Sequence, residues 1–167
     1  DVYKRQDQDL SLLSAEEISL LKDAHAYITV LIAGADGNID ADELSWADKI
    51  AQIRTFAGDE RLKDFHEAVN QELHEKIQQL IAELPKETAN RNQIISDKLS
   101  QLNPVLATLP PSIGAILYKG YVSFAERIAK ASGGILSFFT IGPEEKKWIG
   151  LPMLTPIVYK VEEDEEE

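Results

Sequence analysis

The chain has 167 residues, 44% of them apolar, no cysteine and a formal charge of −12. That length buries roughly 70% of the unfolded surface, enough for one core and hardly for two, and the missing thiols exclude disulfides, thiolate zinc sites and cysteine nucleophiles. Half of the net charge sits in the six acidic residues that end the chain, and the rest is still acidic, so a nucleic-acid backbone is a disfavoured partner and cations or basic proteins are favoured ones.

Residues 1–13 read as a disordered or non-native leader, because Asp1-Val2-Tyr3-Lys4-Arg5-Gln6 has no initiator Met and no apolar core of a signal peptide and looks like translated adapter sequence. Ser14-Ala15-Glu16-Glu17 carries a capping-box pattern, and Ile18, Leu21, Ala24, Ile28 and Leu31 then recur every three or four residues, which predicts a helix over 15–33. Gly34 and Gly37 are expected to end it by taking the positive φ that reverses a chain. Asp40 with Glu43 repeats the capping spacing and opens a second helix, with Leu44, Ala47, Ile50 and Ala51 inward, as far as Gly58. Asp59 caps a long third helix in which Leu62, Phe65, Val69, Leu73, Ile77, Leu80 and Leu84 keep a helical period up to Pro85.

A fourth helix is predicted over about 90–106, with Ile94, Ile95, Leu99, Leu102 and Val105 turned inward, before Pro110 and Pro111 interrupt. The fifth, over about 112–131, is apolar on most sides and is expected to be the central, most buried helix. A loop over 132–142 follows, glycine-bounded, with Phe138 and Phe139 between its ends. Pro143 suits a first helical position, Glu144 and Glu145 complement the dipole there, and Pro152 and Pro156 stop this last helix near Leu151 or Leu154. No period-two pattern occurs, so the class is all-α: a single-domain antiparallel bundle of about six to seven helices over 14–157, followed by an acidic disordered tail over 158–167. No apolar run reaches the roughly 18 residues that span a bilayer, so membrane insertion is not expected.

Two stretches resemble each other. Ile32-Ala33-Gly34-Ala35-Asp36-Gly37-Asn38-Ile39 and Ile128-Ala129-Lys130-Ala131-Ser132-Gly133-Gly134-Ile135 share Ile, Ala, Ala, Gly and Ile at the same offsets, and after a six-residue insertion Trp46 aligns with Trp148. This reads as a duplicated helix-turn-helix corner, or as two tight corners that both need small residues before a glycine. The copies differ in charge: Asp36 faces Ser132 and Asp40 faces Gly142. The second corner has Phe138 and Phe139 instead, either as a plug for the end of the bundle or as a docking patch.

The first corner, Ala35-Asp36-Gly37-Asn38-Ile39-Asp40-Ala41-Asp42-Glu43, holds four carboxylates. A calcium-loop pattern laid over it puts Gly37 and Glu43 in register but places Ile32 and Gly34 at the first two ligand positions, so a tight calcium hand fails on ligand count. Asp36, Asp40, Asp42 and Glu43 can still form a weak, hydrated site for a divalent cation of the calcium or magnesium type, or can serve as caps and turn formers. His66 and His74 stand eight residues apart, too far for a helical metal pair, and with His25 they read as surface or core-edge residues. No nucleophile-elbow, phosphate-loop or zinc spacing occurs, so no catalytic residue and no enzymatic activity are expected.

These two corner segments resemble the motifs of the tellurite-resistance TerB-like family, over about residues 15–154. The resemblance implies an all-helical bacterial cytoplasmic stress-response module, related to the N-terminal domain of DnaJ-like co-chaperones, that binds divalent cations through acidic residues and works in larger complexes. Asp36, Asp40 and Glu43 match the acidic motif, with Asp42 adjacent; Ser132 departs from the aspartate frequent in the second motif. The expectation is therefore a weak divalent-cation site at Asp36, Asp40, Asp42 and Glu43 in a protein with protein partners. The alternative is a cation-independent interaction scaffold or co-chaperone-like adaptor using Phe138 and Phe139.

Overall fold

A computed structural model describes residues 10, 12–35, 60–131 and 143–159. It is helical, with no strand among the described residues. The elements are α1 (Ala15–Ala33), a 3-10 turn (Glu60–Leu62) leading into α2 (Lys63–Glu83), α3 (Thr88–Ser100), α4 (Leu102–Thr108), α5 (Pro111–Ala131) and α6 (Pro143–Ile149). The predicted second helix and the loop over 132–142 lie outside the described residues. No helix among the described residues is long and apolar enough to cross a membrane.

α1 begins as its sequence dictates. Ser14 Oγ accepts from the Glu17 amide at 3.1 Å while Glu17 Oε1 accepts from the Ser14 amide at 3.0 Å, so two otherwise orphaned donors are satisfied at once. The first half keeps an exposed flank, with Ser19 in water, but every residue from Ile28 to Ala35 is buried. α1 packs most extensively on α2 and then on α5, and it also touches α3, α4 and α6.

The central position expected of the 112–131 segment thus falls to α1. The segment Ile28-Thr29-Val30-Leu31-Ile32-Ala33 has no charged residue on any side, so no orientation of it can face water cheaply; α5 keeps Lys119, Glu126 and Arg127 along a wetter flank. Leu21, Ile28, Val30, Leu31 and Ile32 are each fully buried, and each such side chain contributes roughly 2 kcal/mol of transfer free energy. The one polar side chain in the closing turns, Thr29, bonds back to the His25 carbonyl at 2.8 Å, which satisfies its hydroxyl inside the helix. Tyr121 then ties α5 to α1, its hydroxyl donating to the Leu21 carbonyl at 2.8 Å in the core.

The third predicted helix holds as a pattern: Leu62, Phe65, Val69, Leu73, Ile77 and Leu80 are all buried. Its entry differs from the expected cap. The chain turns through the 3-10 segment, and Leu62 stands at the N-cap without a side-chain hydrogen bond. The fourth predicted helix divides at Gln101 into α3 and α4. Pro104 is the reason: it cannot donate to the Ser100 carbonyl and its ring would press on it, so Pro104 is accommodated in the first turn of a new helix, where an amide has no intrahelical partner anyway. Ile94, expected inside, is 39% exposed, and the inward row is Arg91, Ile95, Leu99 and Leu102.

α6 ends at Ile149, before the expected Leu151 or Leu154. Leu151 takes a left-handed backbone with φ 48° while its side chain is completely buried. Burial of that side chain offsets the roughly 1 to 2 kcal/mol that a non-glycine residue costs there. The chain beyond is held by Asn103 of α4, whose amide group donates to the Met153 carbonyl at 2.9 Å and accepts from the Thr155 amide at 2.8 Å.

Candidate functional site

The acidic corner starts where α1 stops. Asp36, Asp40, Asp42 and Glu43 lie outside the described residues, as do Phe138 and Phe139. What the structure places is the anchor from which the acidic segment departs. The Gly34 amide donates to the Val30 carbonyl at 2.9 Å, and the Ala35 amide to the Ile32 carbonyl at 3.4 Å, so the helix tightens as it closes.

Gly34 has φ −99° and ψ 9°, which corrects the expected positive φ. The glycine is required for a different reason. A Cβ built on it would stand 2.6 Å from Nη2 of Arg91 and 2.8 Å from the Val30 carbonyl oxygen. Arg91 enters from the first turn of α3, and its Nη2 donates to the Gly34 carbonyl oxygen, a buried hydrogen bond between elements 57 residues apart. A fixed positive charge therefore closes the C-terminal end of α1, where the helix dipole leaves unsatisfied carbonyls and negative potential.

Arg91 is only 6% exposed, and its neighbour Asn92 is buried too. Arg91 Nε and Asn92 Oδ1 are buried with no hydrogen-bond partner among the described residues. Among the described residues the ion pairs lie elsewhere, on the outer α1–α2 seam, where Lys22 meets Glu72 at 3.4 Å and Lys76 meets Asp23 at 3.5 Å. Such part-exposed pairs contribute little stability, whereas removing the partners of a buried guanidinium is costly. Sequence reading missed Arg91. The signal was there, since Arg91 stands four residues before Ile95 and eight before Leu99 on the inward row.

His25, expected at the surface or core edge, is 3% exposed. Its ring packs against Tyr121 at 5.1 Å and Phe124 at 5.3 Å between centroids, with Phe65 and His66 slightly farther off. This aromatic cluster seats α1 between α2 and α5, and so fixes the direction in which the end of α1 points. His74 lies on the outer face of α2, bonded to Gln78 at 3.1 Å.

Among the described residues no three His, Asp or Glu side chains gather as a metal site. A groove runs along the start of α1, lined by Ser14, Glu17, Leu20, Asp23, Lys98 and Gln101. In comparison with known proteins, the chain matches no family model, no curated protein and no solved structure significantly.

Proposed function

We propose that this chain is a non-enzymatic helical binding module of the TerB-like kind, in which Asp36, Asp40, Asp42 and Glu43 take a divalent cation weakly and the protein works within a larger bacterial stress-response complex. The observation that carries the reading is the end of α1: eight successive buried residues run from Ile28 through Gly34 and Ala35, so the acidic segment leaves from an anchored point. All four carboxylates follow within eight residues of that anchor along the chain. A hard cation relieves their mutual repulsion, with water and backbone carbonyls completing its oxygen shell.

Calcium or magnesium titration of the full chain, followed by amide NMR, tests this. Amides 36–43 are expected to shift first, saturating at millimolar ion. No local shift there at 10-fold higher ion than protein in the millimolar range overturns the cation reading and leaves a scaffold.

A further inference from the structure

Residues 150–159, which follow α6, form a strap without a charged side chain, in a chain that carries −12 overall. The strap is neither helix nor strand, and it crosses α4 at Asn103 and α5 at Gly114. Asn103 Nδ2 donates to the Met153 carbonyl at 2.9 Å, and Asn103 Oδ1 accepts from the Thr155 amide at 2.8 Å. Ile157 Cδ1 lies 3.5 Å from where a Cβ on Gly114 would stand. Leu151 and Leu154 are buried and Ile157 is half-buried, which gives one apolar anchor at every third residue. A side-chain amide that reads one carbonyl and one amide, beside apolar seats at a fixed spacing, is the chemistry by which grooves recognise extended peptides.

The strap is held as a bound peptide is held. Among the described residues its backbone otherwise bonds only to itself and to the end of α6: the Leu151 amide donates to the Trp148 carbonyl and the Leu154 amide to the Leu151 carbonyl, both at 2.9 Å. A segment with so few ties opens without the rest of the fold. Its hinge suits opening. Gly150 is exposed with open space around it, and Leu151 holds a left-handed backbone, φ 48°, that a chain passing straight on does not need. At the outer end Val158 and Tyr159 are 78% and 45% exposed, so the strap's own molecule leaves part of its apolar surface uncovered.

We infer that the α4–α5 face is a peptide-binding groove whose second occupant is the strap of another copy of this chain. That strap carries the same anchors at the same spacing and no charge to set against an acidic surface, and exchange of an identical element is a low-cost route to a dimer. Exchange opens the turn at Gly150 and Leu151, reseats Leu151, Leu154 and Ile157 on the other copy, and gives Val158 and Tyr159 a second molecule to pack against. The inference does not rest on the cation reading above.

The groove is tested with a labelled synthetic peptide of residues 150–159 as probe. The full chain carrying Leu151→Ser and Leu154→Ser, whose own strap no longer seats, is expected to bind the probe roughly tenfold tighter than wild type, in which the groove is filled. Adding Asn103→Ala should weaken that binding about fivefold. No binding by the folded double variant, or equal binding by wild type, overturns the groove. If the double variant loses its helical circular dichroism, hydrogen exchange of the wild type decides: the Thr155 amide should exchange at least roughly tenfold faster than the Leu31 amide, and equal rates overturn a separable strap. Exchange between copies is read by sedimentation of the wild type in roughly 0.5 M salt, which screens the repulsion between acidic chains. A concentration-dependent dimer is expected, with isotope-filtered contacts from Ile157 of one copy to Gly114 of the other. A strict monomer, or a dimer without those contacts, overturns the exchange; probe binding beside either result assigns the groove to an extended apolar segment of a different protein.

Discussion

Gly34 and Arg91 act as one unit. Adding a methyl group to a helix-terminal glycine with negative φ ordinarily stabilises a protein by about 0.4 to 1 kcal/mol, through the unfolded chain. Here the sign reverses, because the new Cβ would meet the Arg91 guanidinium and the Val30 carbonyl well inside contact distance. Gly34→Ala is expected to cost about 2 kcal/mol in urea unfolding. In an Arg91→Met background the cost should fall by at least half, and a double-mutant cycle with no coupling would show that the two residues do not share the space. This pair is also where sequence reading went astray. A glycine after a helix suggests a left-handed turn, and only the approach of a residue 57 positions away reveals that the glycine makes room.

At the scale of elements, the short joins are set by single polar side chains and prolines. Asn103 holds the segment after α6 by presenting its amide as a substitute backbone, one donor and one acceptor, to Met153 and Thr155. Asn103→Ala is expected to cost about 1 to 2 kcal/mol, with faster hydrogen exchange at the Thr155 amide and little change in α1. Equal exchange in both proteins would contradict that clamp. The division of α3 from α4 was legible in principle from Pro104, which the inward pattern of Ile95, Leu99, Leu102 and Val105 concealed: the same apolar face continues across the break. Periodicity reports which face is buried and says little about whether the backbone is continuous, so the break passes unseen in a hydrophobic pattern.

For the whole molecule, the core is organised by which helix can least tolerate water. α1 collects the other helices around its uncharged second half. Its partly covered Tyr27 shows a consequence. Burial raises the Tyr27 hydroxyl above its ordinary pKa of 10.0; Lys76 opposes the shift, and Asp23 and Glu83 add to it. Because the folded state favours the neutral phenol, its contribution is intact below pH 10 and is lost as pH rises through the folded value. Denaturant melts of wild type should therefore weaken above about pH 10 more than those of Tyr27→Phe; parallel pH profiles would refute the assignment.

The all-helical class, the capped start and length of α1 and the inward stripe of α2 were all legible in the amino-acid order, because capping chemistry and a 3.6-residue apolar period are local properties. The four carboxylates of the acidic segment were equally plain as a cluster in the chain. Tertiary structure alone decided that α1 and not α5 is the pillar, that His25 lies among aromatic rings, that Leu151 takes a left-handed backbone and that Arg91 closes the end of α1. Each of these depends on a neighbour distant along the chain, and the free energy of burying a side chain is determined by what surrounds it.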